Sequence, residues 1–227
     1  MIRKAETWLK KSLDYEFTDP RLLEQALTHR SAPGANNERL EFLGDAVLDF
    51  VISEVVFRTH PNAHEGDLSR LRSSLVKDTS LSGLASELGL GEFLILGGGE
   101  RKTGGHRRES ILADALEAVF GAVYLDSGLD AARSIIEKAF GDRLEDFPDV
   151  DELRDPKTRL QEWLQARQMS LPAYELIEVS GKPHQQTFAV TCGILGSTTR
   201  GVGTTRRNAE QEAALRMLSE LAEREAP

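Results

Sequence analysis

The chain has little that would fit it for a membrane or an oxidising compartment. Cys192 is the single cysteine in 227 residues, so no internal disulfide can form and no cysteine-based metal cluster can assemble. That usage suits a reducing compartment. No apolar run approaches the length needed to span a bilayer. The N-terminus, MIRKAETWLKKSLDYEF, is charged throughout and lacks the continuous apolar core of a signal peptide. No membrane partner is therefore expected, and the expected location is cytoplasmic. Internal repeats and low-complexity tracts are also missing. Positive charge is scarce: 28 Lys and Arg face 37 Asp and Glu, a net −9. Residues 1–146 carry 18 basic and 25 acidic side chains, residues 147–227 carry 10 and 12. A nucleic-acid binder with this balance must concentrate its positive charge locally or bring cations to its acidic groups.

What is present can build a core. Hydrophobic residues make up 40% of the chain, and its length allows one large domain or two ordinary ones. Apolar spacing predicts helices over Ile2–Leu13, from Pro20 to about Thr28, from Asn37 to about Arg58, and from Glu65 to about Leu88. His29 to Asn36 reads as a loop, and the glycines at 97–99 and 104–105 mark another. Two more helices are expected, Glu109 to about Leu125 and Leu129 to about Leu144. An acidic, proline-bracketed stretch then reads as a linker, residues 147–156, between domains 1–146 and 157–227. Beyond it the pattern changes. A short helix, Lys157–Arg167, precedes three strand-like runs, Ala173–Ser180, Thr187–Gly193 and Ser197–Val202, and a last helix, Asn208–Glu223. The expected fold class is an all-α domain followed by a small α+β domain of order α-β-β-β-α.

The most informative stretch is NERLEFLGDAVL, Asn37–Leu48. Glu38, Glu41 and Asp45 lie at i, i+3 and i+7 and share one helix face. A second helix repeats the design in ILADALEAVF, with Asp114 and Glu117 at i, i+3. Most acidic pairs on helices belong to a solvated face. Such a face mixes both signs, whereas these carboxylates are set into helices that read as buried almost all round. Buried like charges are costly, so something positive should lie between them. Nearby arginines could serve, but a hard divalent cation suits several convergent oxygens better.

These residues resemble the signature of the ribonuclease III family. The similarity continues in EGDLSRLR from Glu65 and in ESILADALEA from Glu109. The C-terminal segment is similar to a double-stranded-RNA-binding domain in Leu160-Gln161-Glu162, Lys182-Pro183-His184 and Gly203-Thr204-Thr205-Arg206-Arg207-Asn208-Ala209-Glu210. The resemblance implies that Glu41, Asp45, Asp114 and Glu117 are catalytic and bind metal, with Glu38 and Glu65 as further acidic residues of the cleft. It implies a homodimer joined through the catalytic domains, each subunit cutting one strand of double-stranded RNA. The implied products carry 5′-phosphates, 3′-hydroxyls and short 3′ overhangs, and the implied role is processing of structured precursors such as ribosomal RNA. Three departures are visible: Arg206 and Arg207 stand where lysines are common, Glu210 stands where a further lysine is common, and His106 stands in a loop where a second strongly basic residue is expected.

Chemistry supports a metal-dependent reading. No Ser-His-Asp or Cys-His nucleophile arrangement stands out, and divalent cations can activate water and stabilise charge on phosphate. Mg²⁺ is the expected cofactor, with Mn²⁺ as a substitute, and Glu117 the most sensitive ligand. Gln161 and Glu162 can hydrogen-bond 2′-hydroxyls in the shallow minor groove of A-form RNA, and His184 a second minor groove. Lys182 falls in the same hairpin turn. Arg206 and Arg207 combine side-chain charge with a helix N-terminus to hold phosphates, and Arg107 and Arg108 are placed to approach phosphates near the cleft. Arg39, Arg70 and Arg72 are expected to form structural ion pairs, and His60, His64 and His106 to be surface residues. The rival readings are a catalytically inert double-stranded-RNA-binding protein and an unrelated helical phosphohydrolase. The first needs no full acidic set, and the second leaves Gln161, His184 and Arg206 without a purpose.

Overall fold

Helical apolar spacing governs the first two-thirds of the chain. The computed structural model describes residues 2–149, 153–182, 185–194 and 196–225. They divide into two units, 1–148 and 149–227. In the first, α1 (Ile2–Leu13) buries Ala5, Leu9 and Leu13, a four-residue spacing that puts one stripe against the core. α2 (Pro20–Ala26) starts where Asp19 accepts a hydrogen bond from the Arg21 N–H, with Pro20 in the first turn. Such a cap satisfies one of the orphan donors of the helix N-terminus. α3 (Glu38–Thr59) follows a loop.

The stretch expected as one helix from Glu65 to Leu88 is two, α4 (Glu65–Val76) and α5 (Asp78–Glu87). The break falls at Lys77, whose backbone is extended at φ −65°, ψ 150°. Its carbonyl accepts from the N–H groups of Ser80 and Leu81 and so opens a new helix. The short polar run Asp78-Thr79-Ser80 favours helix starts over interiors, which a reading of apolar spacing alone overlooks. A short α6 (Gly98–Lys102) forms inside the glycine-rich segment expected as a loop. The two helices expected after Glu109 are both present: the run Glu109–Phe140, labelled α7, consists of two helices that meet at a kink at Gly128. Gly128 takes φ 81°, ψ −173°, a conformation that only glycine adopts without strain.

α7 is the central helix. Ile111, Leu112, Ala113, Ala115, Leu116, Ala118, Val119 and Phe120 are all buried on it. α3 packs along it and buries Leu40, Val47, Leu48, Val51 and Ile52. The expectation that both helices are buried nearly all round therefore holds for α7 and fails for α3. On α3, Phe42, Phe50 and Phe57 are 80%, 53% and 69% exposed. The two helices meet at two glycines. A Cβ at Gly44 would lie 1.8 Å from the Glu117 carbonyl oxygen, and one at Gly121 would lie 2.3 Å from that of Leu40. The backbones touch, and no larger residue fits at either position. Farther along, an ion pair between Glu54 and Arg133 joins the same helices. His60, expected as a surface residue, is half-buried and packs edge-on against Phe147, ring centroids 4.8 Å apart.

In the second unit, α8 (Pro156–Ala166) starts at Asp155, whose side chain accepts from the Lys157 N–H. Strands β1 (Ala173–Lys182), β2 (Gln185–Ile194) and β3 (Ser197–Gly203) form an antiparallel sheet in the order β1-β2-β3. α9 (Arg206–Glu225) packs on the sheet. The core joins Leu160 and Leu164 of α8 to Cys192 and Ile194 of β2 and to Ala213, Ala214 and Met217 of α9. The hairpin arms outrun the expected strands. Lys182 is the last residue of β1, opposite Gln185, rather than a turn residue. Among the described residues no helix is long and apolar enough to cross a membrane.

The glycine contact yields a direct test. Gly44→Ala should cost about 3 kcal/mol or more, because overpacking against backbone cannot relax by a rotamer change. For a unit of this size that lowers the melting temperature by roughly 10 °C. Gly83→Ala on α5, where a Cβ meets nothing within 4 Å, should leave it unchanged or slightly raised. Equal melting temperatures for the two variants would refute the close contact.

Candidate active site

Glu41 and Asp45 flank Gly44 on α3, while Glu117 and Asp114 lie one and two turns before Gly121 on α7. Backbone contact at Gly44 and Gly121 brings the two carboxylate pairs to the same place. Their electrostatics record the proximity. The Glu117 carboxyl is pushed up to about 8, first by burial and then by Asp45, Asp114, Glu41 and Asp78. Glu41 is raised by burial, Asp114 and Glu38, against the opposing pull of Arg30. Asp114 is raised by burial and Asp78, and pulled the other way by His29 and Arg30. Asp45 is raised by burial and Asp49, and pulled the other way by Arg72. Every member of the set is thus poorly solvated and faces a neighbouring carboxylate, and Glu117, which faces all three of the others, is raised most.

The donor set is four carboxylates, all hard oxygen ligands. Among the described residues no three or more His, Cys, Asp or Glu side chains converge closely enough to enclose an ion by themselves. The set still fits Mg²⁺, a cation that keeps several waters and takes only one or two carboxylates directly. It fits a soft metal poorly, because thiolate and imidazole donors are not part of it.

The remaining acidic positions separate. Glu38 stays with the cluster. Its Oε2 accepts from Asn36 at 3.1 Å and its Oε1 faces Arg30 at 3.5 Å. With His29, Arg30, Asn37, Glu41 and Asp114 it lines a cavity of about 190 Å³. Glu65 does not join them. It begins α4, accepts from Ser69 Oγ at 2.9 Å, and lines a hollow of about 340 Å³ with Phe50, Phe57, Leu68 and Arg72. Of the arginines expected in structural pairs, Arg70 pairs with Asp67 at 3.0 Å, and Arg72 donates to Ser53 at 3.1 Å beside Asp49. Arg39 lines a groove with Phe42 and Leu125 instead. Arg108 pairs with Glu100 at 2.7 Å, and the exposed Arg107 donates to His106.

Four residues at the cluster escape a reading of the sequence. Asp49 follows Asp45 by one turn, so continuing the i, i+4 stripe finds it. Asp78 acts on both α7 carboxylates but lies on a helix whose start the apolar pattern conceals. His29 and Arg30 come from a loop, where periodicity carries no information.

In the second unit Gln161 and Glu162 are exposed on α8, with Glu162 facing Arg154 at 3.3 Å. Lys182 is exposed at the end of β1. His184 lies outside the described residues. Arg206 and Arg207 open α9, each already beside a carboxylate. Arg206 donates to Glu210 at 2.9 Å and Arg207 lies 3.6 Å from Asp155. Lys157 donates to the same Glu210 at 2.5 Å. Both partners hold the Glu210 carboxyl below its usual range.

A pH prediction follows from Glu117. Its folded value, about 8, lies above its ordinary 4.5, so the folded state holds a proton that the unfolded state loses. That contribution to stability is complete below about pH 4.5 and is lost progressively as pH rises to about 8. In metal-free buffer Glu117→Gln should therefore melt above the parent protein at pH 8.5, by a margin that shrinks at pH 5. A margin independent of pH would show that Glu117 is not electrostatically strained.

The comparisons with known proteins fit this arrangement. A Ribonuclease-III-like family model matches residues 19–144, and a double-stranded RNA binding motif matches residues 156–221. A protein named Ribonuclease 3 from Colwellia psychrerythraea is 54% identical over 213 residues, 93% of this chain and 80% of that one. Another of that name from Methylococcus capsulatus is 53% identical over 225 residues, 98% of this chain and 97% of its own length. The nuclease domain of ribonuclease III from Campylobacter jejuni, described for flexibility in a region involved in dimer formation, superposes with a TM-score of 0.56 at 48% identity. It covers 59% of this chain and 96% of that one. With one family model over the carboxylate-bearing helices, another over the α-β-β-β-α unit, and full-length relatives near half identity, the chain belongs to the ribonuclease III family.

Proposed function

We propose that Glu41, Asp45, Asp114 and Glu117 form the hydrolytic centre of this chain, with Glu38 at its edge. The chain is a double-strand-specific endoribonuclease. The observation that carries the assignment of the centre is the meeting of two carboxylate pairs across the Gly44–Gly121 contact, with Glu117 the most strained. A divalent cation held there, Mg²⁺ or in its place Mn²⁺, would supply an activated water and stabilise charge on the phosphate. The four side chains set where that chemistry occurs. Glu41 and Asp45 approach from α3, and Asp114 and Glu117 from α7. Glu117 keeps its proton to about pH 8 when it faces only other acids, and releasing it gives the centre its fourth anionic donor.

Homodimerisation is proposed through the catalytic units. Phe42, Phe50 and Phe57 on α3 leave apolar side chains open to solvent, and clustered exposed apolar residues mark interaction surfaces. One centre per subunit then cuts one strand each, leaving 5′-phosphates, 3′-hydroxyls and short 3′ overhangs. Structured precursors such as ribosomal RNA are the proposed substrates. In the second unit, Gln161 and Glu162 are assigned to 2′-hydroxyls, Arg206 and Arg207 to phosphates, and Lys182 and His184 to the hairpin contact. Arg107 and Arg108 are assigned to phosphates near the cleft. An inert RNA-binding protein would have no use for four strained carboxylates on its central helices.

Glu117→Gln should lower the cleavage rate of duplex RNA by about a hundred-fold or more, as removal of a group acting mainly in the transition state does, while affinity for duplex RNA stays near that of the parent. Mixed with the parent protein, it should give heterodimers that nick one strand. Parallel loss of binding, or efficient double-strand cleavage by the heterodimers, would overturn these assignments. Glu210→Gln should free Arg206 and Lys157. Duplex affinity should rise about two- to five-fold, the range for a surface ion pair such as that of Arg206, with a steeper dependence on salt. Unchanged affinity and slope would remove Arg206 from the phosphate contacts.

A further inference from the structure

The loop between α2 and α3 is fastened on both sides. The Asn37 N–H donates to the Thr28 carbonyl at 2.9 Å, and the Gln25 side chain donates to the Asn36 carbonyl at 3.0 Å. The His29 N–H donates to the Ile95 carbonyl at 3.0 Å, and the Ile95 N–H returns a bond to Leu27 at 2.8 Å. Ser31 Oγ accepts from the Gly97 N–H at 3.0 Å and lies 2.8 Å from His29 Nδ1. A Cβ at Gly97 would lie 2.2 Å from the Ser31 carbonyl oxygen, so the two segments touch. His29, at 9% exposure, is buried beneath this clamp. Arg30 stands between the two anchored residues on a platform with little freedom to move.

The Arg30 side chain is 71% exposed, and its one polar partner among the described residues is Glu38 Oε1, at 3.5 Å. A guanidinium has five N–H donors in a planar fork, and so distant and exposed a pair contributes little to stability. Glu38 is held independently, by Asn36 at 3.1 Å. Arg30 also lies close enough to Glu41 and Asp114 to oppose the raising of both. It lines the 190 Å³ cavity that opens onto those carboxylates. A permanent cation with donors to spare therefore borders the space where an RNA strand must pass to reach them.

We propose that Arg30 is a substrate-binding residue of the centre, its guanidinium holding a backbone phosphate of the RNA strand beside the carboxylate cluster. The proposal rests on the assignment of those carboxylates as the hydrolytic centre. The fork geometry suits two parallel hydrogen bonds to phosphate oxygens. Its place beside the cluster means that it acts where the strand is cut, separately from the second unit.

Arg30→Ala and Arg30→Lys in the full chain test this. Binding of a duplex RNA is measured against salt in the Glu117→Gln background, and kcat and KM are measured with Mg²⁺ in the parent background. Arg30→Ala should reduce kcat/KM about ten- to hundred-fold, the range for a lost hydrogen bond to a charged group. It should also lower the log–log salt slope by roughly one. Arg30→Lys should keep the slope and regain only part of the rate, because an ammonium is a point charge and not a fork. The melting temperatures of both should match their backgrounds. If Arg30→Ala leaves slope and affinity unchanged and alters only the Mg²⁺ concentration for half-maximal rate, Arg30 is a counter-charge to Glu38 and the proposal fails. Cleavage by the Glu117→Gln background itself would defeat the carboxylate assignment instead, and the salt slope would still decide Arg30.

Discussion

Because a Cβ at Gly44 would lie 1.8 Å from the carbonyl oxygen of Glu117 and one at Gly121 would lie 2.3 Å from that of Leu40, α3 and α7 meet backbone to backbone. Side chains at the crossing cannot hold the helices apart, so those beside it share one space. Glu41 precedes Gly44 by three residues and Asp45 follows it. Glu117 precedes Gly121 by one turn. The two smallest residues thus decide where four of the costliest ones sit.

The electrostatic cost of that placement is carried by the apolar packing around it. Leu112, Leu116, Val119 and Phe120 on α7 are at most 3% exposed, as are Leu40, Leu48 and Ile52 on α3. Burying side chains of this size contributes roughly 1.5–3 kcal/mol each, which is enough to hold repelling carboxylates together locally. Unlike Glu54, which pairs with Arg133, the cluster has no cation at its centre among the described residues. Arg30, His29 and Arg72 act only on its edges. Strain without a matching internal charge marks a functional site more than a structural one.

Much of this could be read from the sequence, for identifiable reasons. Charges set into apolar helical spacing betrayed Glu41, Asp45, Asp114 and Glu117, because no stabilising role explains them there. The α-β-β-β-α order was visible through the switch from a period near 3.6 to a period of 2. What could not be read depended on contacts between distant segments. Asp78 reaches the cluster only because the chain restarts at Lys77, and Arg30 only because its loop is fastened to residues 95–97. The outward face of α3 was misread for a related cause. Phe42, Phe50 and Phe57 look like core in sequence, since nothing local separates a residue that packs inside its own chain from one whose apolar surface faces outward.

Charge raises a last question, since an acidic chain acts on a polyanion. In the second unit the proposed phosphate contacts are engaged already. Arg206 and Lys157 converge on Glu210, and Arg207 lies beside Asp155. A phosphate approaching Arg206 competes with a carboxylate, so the free energy gained is the difference between two ion pairs and is smaller than that of a bare arginine. A chain built this way gains little from negative charge alone. Under the proposed assignments it would gain more from a ligand that meets α8, the β1–β2 hairpin and the start of α9 together, as an A-form duplex could through its grooves and phosphates. In the first unit the excess of acid has the opposite use. With 25 acidic against 18 basic side chains over residues 1–146, a phosphodiester is repelled wherever no cation stands between it and the protein. Under the proposed assignments, divalent ions at the carboxylates and arginines at their rim would then decide where a strand can come close enough to be cut.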